Sequence, residues 1–322
     1  MTAGMASAGK AQRLILGETL VELGSADERI VVLDADVSSS TQTCLFARAF
    51  PKRFFNFGIT EANMVSAAAG MSTCGLIPVV STFALFLSLR AGDQVRSQVA
   101  GAGLNVKLIG GYAGLSDFAD GASHQSVEDL AIMRVMPGMT VIAPGSANET
   151  RDAVRAAIEH VGPVFLRISR EVVPDDSPLT GPFRIGVARP VCQGTDVALV
   201  TTGTMLPTVL AAWAHMQAEG LSVGVLHVPT LKPLDEPALV AAARMAGAVV
   251  TVEEHSIIGG LGSAVCETLA QFRPTPVIRC GIPDQFGESG GYAEILQRAG
   301  LDWSSIVRCA KRVIAMKKEM NS

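Results

Sequence analysis

Phe54-Phe55-Asn56-Phe57-Gly58-Ile59-Thr60-Glu61-Ala62-Asn63-Met64 joins a strand-like run to a helix, and this junction orients the reading of the whole chain. The run Phe54 to Phe57 ends at Gly58, and Thr60 is placed to cap the helix that follows. Met64, Val65, Ala67, Ala68, Ala69 and Met71 make that helix apolar nearly all round, the pattern of a helix packed on both sides. Glu61 stands in its first turn, at the C-terminal edge of a sheet and against an apolar body. A carboxylate there needs a partner, or its pKa rises and it takes up a proton. Acidic residues are also favoured in a first turn, so a capping role competes with a functional one.

Working outward, short Val/Ile-rich runs alternate with helical patterns. Strands are expected at 30–34, 54–57, 77–80, 106–110, 140–143 and 164–168, with helices over 12–23, 62–73, 83–99 and 148–160. Runs without strict alternation suit strands buried on both faces of a parallel sheet, so the class is doubly wound α/β. Between Val172 and Pro190 the pattern breaks into a stretch holding Pro174, Pro178, Pro182, Gly181 and Gly186. That composition marks a linker between domains. A second α/β set follows, with strands at 197–201, 222–227, 248–252 and 276–280 and helices over 206–217, 235–246, 261–271 and 306–318. The expected organisation is a flexible tail over 1–10, a first domain over 11–171, a linker over 172–190 and a second domain over 191–322.

With 322 residues, 48% hydrophobic and 17% charged, the chain has enough apolar material for two cores. A net charge of −4, with no basic run before the last few residues, argues against nucleic acid as a partner. No apolar stretch reaches membrane-spanning length, and the Ala/Gly/Ser-rich start lacks the apolar core of a signal peptide. The six cysteines form no C-x-x-C pair and the five histidines no H-x-x-x-H pattern. Buried thiols in a reducing cytoplasm and no protein-ligated transition metal are expected.

Ligands of open parallel sheets bind beyond the strand C-termini. The first strand there runs into Asp36 and Ser38-Ser39-Ser40, the second into Glu61, and the third into Ser81-Thr82-Phe83 with Phe86. The fourth leads into a long loop, Gly110 to Gln125, carrying Tyr112, Asp120 and His124. The last runs into Ser169-Arg170. Long loops inside compact domains are usually functional. Each residue also has a structural alternative: Phe83 and Phe86 as core, His124 as a cap, Asp36 in a turn, Arg170 paired with Asp175 or Asp176. Their convergence on one rim favours function.

In this order, Asp36, Gly58-Ile59-Thr60-Glu61-Ala62-Asn63-Met64, Ser81-Thr82-Phe83 through Phe86, Asp120-Gly121-x-x-His124-Gln125 and Ser169-Arg170 resemble the transketolase family. Glu253-Glu254-His255-Ser256-Ile257-Ile258-Gly259-Gly260-Leu261-Gly262 is similar to the signature of that family's C-terminal domain. The resemblance implies a thiamine-diphosphate-fold pyrimidine-binding domain followed by a transketolase C-terminal-like domain, with Gly260-x-Gly262 as a helix entry. It implies that Glu61 shares a proton with the aminopyrimidine of thiamine diphosphate, that Phe83 and Phe86 form the wall behind that ring, and that Asp36 lies near the cofactor. Asp120 and His124 would contact ketose hydroxyls and assist proton transfer, while Arg13, Ser40 and Arg170 would clamp a sugar phosphate.

Two departures matter. Tyr112 stands where the family usually has a substrate-binding histidine, and Leu89 where an aromatic Tyr is common; both lie toward the substrate. The chain also has no Gly-Asp-Gly motif and no Asn-Asn pair, the elements that hold Mg²⁺ and the diphosphate. The resemblance therefore implies the C-terminal subunit of a split, cytoplasmic transketolase. An N-terminal subunit would hold Mg²⁺ and diphosphate, and two copies of each chain would form a heterotetramer. The alternatives are the beta subunit of a 2-oxo acid dehydrogenase and a non-catalytic scaffold that kept the fold.

Overall fold

A computed structural model describes residues 9–174, 178, 179 and 181–321. Residues 1–8 of the expected tail lie outside the described residues, as do 175–177 and 180 of the expected linker. In chain order the strands are β1 (Lys10–Ala11), β2 (Ile30–Asp34), β3 (Phe54–Asn56), β4 (Ile77–Phe83), β5 (Lys107–Gly111), β6 (Thr140–Ile142), β7 (Val164–Arg167), β8 (Val172–Val173), β9 (Arg189–Cys192), β10 (Val197–Thr201), β11 (Val223–His227), β12 (Thr230–Lys232), β13 (Val249–Ser256) and β14 (Val277–Ile282). The first large sheet runs β12-β6-β7-β5-β4-β2-β3 and the second β14-β13-β10-β11-β9. Both are parallel except at one edge, where β12 and β9 run antiparallel.

The pleat divides each sheet between two cores. Val31 and Leu33 of β2 pack on the face shared with Met64 and Val65, while Ile30 and Val32 face Leu16 and Leu20 of the helix Gln12–Ala26. β10 does the same, sending Ala198 and Val200 one way and Val197 and Leu199 the other. Successive strand side chains point to opposite faces, so an apolar run without alternation can be satisfied only between two layers of helices. That is why these segments form doubly wound α/β. The Met64 core continues into the second sheet through Leu226, Val249 and Leu261, so one apolar body underlies both sheets.

Several boundaries differ from expectation. The helix Glu61–Thr73 buries one stripe, Glu61, Met64, Val65, Ala68 and Ala69, while Asn63 and Gly70 are exposed. Its composition suits two packed faces, but only one is covered within the chain. Thr60 makes no side-chain cap; its hydroxyl instead donates to the Phe57 carbonyl at 2.9 Å. The expected helix over 83–99 begins later, because Phe83 finishes β4. It is then interrupted by two π-helical segments, Phe86–Arg90 and Val95–Ala100. The described ends of the 172–190 stretch are not free chain: β8 pairs with β1, and β9 joins the second sheet. β12, missed in the sequence because it is only three residues long, carries the second half of the chain into the edge of the first sheet. No helix among the described residues is long and apolar enough to cross a membrane.

Buried polar groups lock the halves together. Arg167, at the end of β7, meets Asp129 in a two-pronged contact of 2.7 and 3.1 Å and donates to the Glu254 carbonyl of β13 at 2.9 Å. Glu149, heading the helix Ala147–Glu159, accepts from Arg189 of β9 at 2.8 Å and meets His227 of β11 at 2.7 Å. The Glu253-Glu254-His255 run has three tasks. Glu253 accepts the Leu261 and Gly262 amides (2.6 and 2.7 Å) at the start of the helix Leu261–Phe272, the helix entry anticipated at Gly260. Glu254 accepts the Leu115 amide at 2.7 Å, below the long loop of the first half. His255 accepts from the Ala131 amide through Nε2 and faces the Ser256 carbonyl through Nδ1.

Replacing Arg167 by Leu leaves the Asp129 carboxylate buried without its partner. A loss of about 3–5 kcal/mol is expected in denaturant unfolding. Burial pushes the His255 imidazole down to about 4. A depressed histidine adds stability above its unfolded value of about 6.5 and forfeits it as pH falls through the folded one. Wild-type stability should therefore fall between pH 6.5 and 4 more steeply than that of His255→Gln, measured by thermal unfolding across that range.

Candidate active site

The C-terminal ends of β2, β3, β4, β5 and β7 deliver the candidate residues to one rim of the first sheet, and each loop is held by an identifiable contact. After β2, the buried Asp34 accepts the Val37 amide (2.8 Å) and the Thr43 hydroxyl (2.8 Å), fixing the turn that carries Asp36 and Ser40. Asn56, closing β3, accepts the Asp36 amide at 3.1 Å and the Gly58 amide at 2.9 Å. One amide side chain thus sets both the Asp36 turn and the approach to Glu61. Gln12 accepts the Ser169 amide at 2.8 Å while donating to the Pro144 carbonyl, which steadies the exit of β7 toward Arg170.

Backbone strain concentrates on this rim. Asp36, Gln42 and Tyr112 are the described non-glycine residues with positive φ (64°, 64° and 54°). For an aromatic residue such as Tyr112 that conformation is unfavourable and persists only where the surroundings enforce it. Gly114 follows in the same loop at φ 66°, where a Cβ would sit 2.6 Å from Glu254 Oε1. Glycine is required there both for the turn and for the approach of Glu254.

Glu61 is 4% exposed and has found a charged partner, accepting from Arg90 Nη1 at 3.0 Å. The same guanidinium lies 3.7 Å from the centre of the Phe86 ring. Arg90 therefore ties the buried acid to the aromatic wall, a role the sequence reading missed. A residue 29 positions from Glu61 and beyond the expected aromatic pair gave no periodic signal. The π-helical turn Phe86–Arg90 brings it there, and such turns recur at functional sites.

Phe83, Phe86 and Tyr112 form a separate small cluster, with ring centroids 5.6 Å apart for Phe83–Phe86 and 4.4 Å for Phe83–Tyr112. His124 presents its ring against Phe86 at 5.4 Å and has Nδ1 2.9 Å from the Ser123 hydroxyl. Leu89, where an aromatic is common in the family, is exposed. Arg13 donates to the Ser40 carbonyl at 3.0 Å and to the Tyr112 hydroxyl at 2.9 Å. Glu61, Phe83, Phe86, Tyr112, His124, Arg13 and Ser40 are thus linked in one continuous set of contacts. Asp36 is exposed and is held by Asn56 outside that set, and Asp120 is exposed at the head of the short turn leading to His124.

Arg170 lies over Tyr112 and Phe118, 5.4 and 5.0 Å from the ring centres. Asp175 and Asp176, offered as its partners by the sequence, lie outside the described residues. Its acidic neighbour is instead Asp117, at 3.6 Å, inside the long loop. Asp117 is fully buried, and neither carboxylate oxygen has a hydrogen-bond partner among the described residues. Burial pushes its carboxyl up to about 6, helped by the Asp120 charge and opposed by His124 and Arg170.

A buried carboxylic acid beside stacked rings, a histidine at their edge and two arginines farther out suit a flat, basic heteroaromatic cofactor and a polar chain with an anionic end. Comparisons with known proteins agree. Residues 8–175 match the transketolase pyrimidine-binding domain and residues 186–306 the transketolase C-terminal domain. A Methanocaldococcus jannaschii protein, whose name describes a transketolase C-terminal section, is 44% identical over 96% of this chain and 98% of its own. The 6-deoxy-6-sulfo-D-fructose transketolase subunit of a Clostridium species is 39% identical over 93% of each chain. A solved split-gene transketolase, described as an inactive beta4 tetramer, superposes with a TM-score of 0.89 at 45% identity, covering 96% of this chain and all of the other. Two domain matches in series and relatives matched along nearly their whole length have one reading: the chain belongs to the transketolase family.

Proposed function

We propose that this chain is the C-terminal subunit of a two-chain transketolase that moves a two-carbon ketol unit from a ketose phosphate to an aldose acceptor. The observation that carries the reading is Glu61, buried at a helix N-terminus and joined through Arg90 to the Phe86 face. Thiamine diphosphate supplies, when bound, the carbon nucleophile and electron sink that such a transfer needs. Glu61 would hold the aminopyrimidine by its ring nitrogen, and Phe83 and Phe86 would support the flat ring. Asp36, at the exposed end of β2, would line the approach.

Cleaving the C2–C3 bond of a ketose requires a base for the C3 hydroxyl proton, and the acceptor aldehyde needs that proton returned. His124, with Nδ1 engaged by Ser123, keeps its other ring nitrogen for this exchange. Asp120 would accept from substrate hydroxyls beside it. Arg13, Ser40, Tyr112 and Arg170 lie farther out, where the distal end of a sugar would reach, and two guanidiniums there suit a phosphate or sulfonate.

The grip on Mg²⁺ and diphosphate would come from a partner chain. Two features support a missing neighbour: the half-covered helix Glu61–Thr73, and the exposed apolar side chains Ile59 (72%) and Leu89 (53%) bordering Glu61 and Arg90. The solved relative with four copies of one chain is described as inactive, which is in line with a required second subunit. A heterotetramer with two copies of each chain would complete two sites.

Glu61→Gln, combined with the partner subunit, should lose at least about 100-fold in kcat while its circular dichroism stays native, the scale of removing a proton-handling group. Retained turnover would take Glu61 out of this role. In titration calorimetry the isolated chain should bind thiamine diphosphate weakly with or without Mg²⁺. Tight Mg²⁺-dependent binding by this chain alone would contradict the two-chain reading.

A further inference from the structure

Asp117 has no part in the chemistry assigned so far, yet its state is costly. A fully buried carboxylate without a hydrogen bond is rarely kept without a reason. Its cationic neighbour, Arg170, is 3.6 Å away, beyond a good hydrogen bond, and is one-third exposed. The two groups are thus electrostatically coupled without Arg170 spending its donors, which stay free to turn outward between the Tyr112 and Phe118 rings. Arg13, the second cation of the distal pocket, is already engaged by the Ser40 carbonyl and the Tyr112 hydroxyl. Arg170 is therefore the principal free anion-binding group, and Asp117 lies against it from the buried side.

We propose that Asp117 is a specificity-determining positioning residue: a buried counter-ion that lowers the affinity of Arg170 for doubly charged anions, so that the distal pocket accepts singly charged or uncharged sugar ends alongside phosphates. This deepens the function proposed above and rests on Arg170 belonging to the distal anion pocket. Asp117 offsets part of the charge that Arg170 presents outward, which suits a monoanion; removing the carboxylate charge leaves that guanidinium better suited to a dianion. Other charges act on the same point. Asp120 and Glu171 add negative charge, and His124 becomes positive when protonated. Glu288, on the neighbouring loop that accepts from Gln125, is held by Arg298 at 2.6 Å.

The test needs neither partner nor cofactor. Sulfate, a dianion throughout pH 5–8, is titrated into the full-length chain and followed by NMR chemical shifts. Asp117→Asn should bind sulfate about tenfold more tightly than wild type at pH 8, the scale expected when one unit charge a few ångströms away is removed. Methanesulfonate affinity should change less. Wild-type affinity for sulfate should also climb as pH drops through about 6, where Asp117 takes up its proton, by more than it climbs in Asp117→Asn. Asp117→Ser replaces Asn if the latter does not fold. Arg170→Ala should abolish the gain in the double variant. Equal sulfate binding by wild type and the Asp117 variants overturns this proposal while leaving the proposed reaction intact. Binding unchanged by Arg170→Ala removes the anion pocket, and this proposal with it.

Discussion

The Arg167 guanidinium is the point on which the site rests. Fully buried at the end of β7, it is bound by Asp129 from the helix Asp129–Val135, by the Ser126 carbonyl closing the long loop, and by the Glu254 carbonyl of the second sheet. A buried cation with four such contacts can occupy only one position, because any shift would leave a charge unpaired in a low-dielectric interior. That one position fixes the ladder of β7, the return of the 112–126 loop and the seating of the second half of the chain. The loop bearing Asp117, Asp120 and His124 is therefore held by interior groups, although it lacks regular structure over most of its length.

The second domain supports the first from below. Glu254 receives the Leu115 amide and is itself held by the Thr204 and Tyr292 hydroxyls. Tyr292 in turn lies tilted against Phe118, whose ring Arg170 covers. The run resembling the C-terminal-domain signature thus spends its acids and histidine on structure: backbone amides, a backbone carbonyl and the Thr204 and Tyr292 hydroxyls. Such sequences are retained for the precision with which they hold a loop, since a site displaced by about 1 Å can lose about 100-fold in rate.

Much of this architecture was legible in the sequence. Runs such as Ile30–Asp34 and Val197–Thr201 are apolar at every or nearly every position, and only a strand between two helical layers satisfies them. Glu61 stood out because an acid heading an apolar helix has few environments to choose from. What the sequence did not expose depends on separation in the chain or on subtle backbone geometry. Arg90 reaches Glu61 through a π-helical turn, which has no periodic signature. Asp117 lies inside a loop whose reading rested on Asp120 and His124, and its burial is set by tertiary packing that carries no local sequence signal. The Thr60 capping prediction failed because the hydroxyl found the Phe57 carbonyl, one turn back, before any helix amide.

The two ends of the candidate site are built differently. At the inner end, on the proposed reading, the acid and the stacked phenylalanines receive the cofactor, and the chemistry allows little else: a ring nitrogen needs an acid, and a flat ring needs a flat support. At the outer end stands Tyr112, and its contacts spread. Held at positive φ, it stacks on Phe83 and offers its hydroxyl to Arg13, so one cation of the distal pocket becomes part of the wall. On the proposed reading the remaining cation, Arg170, carries more of the recognition, and Asp117, 3.6 Å away, lies where it can moderate that cation. A bulky residue forced into a costly backbone conformation and a carboxylate left without hydrogen bonds are both unfavourable for folding alone. Both lie in the loop that follows β5, so the free energy given up in folding is concentrated on the rim that carries the candidate site rather than in the body of the sheet.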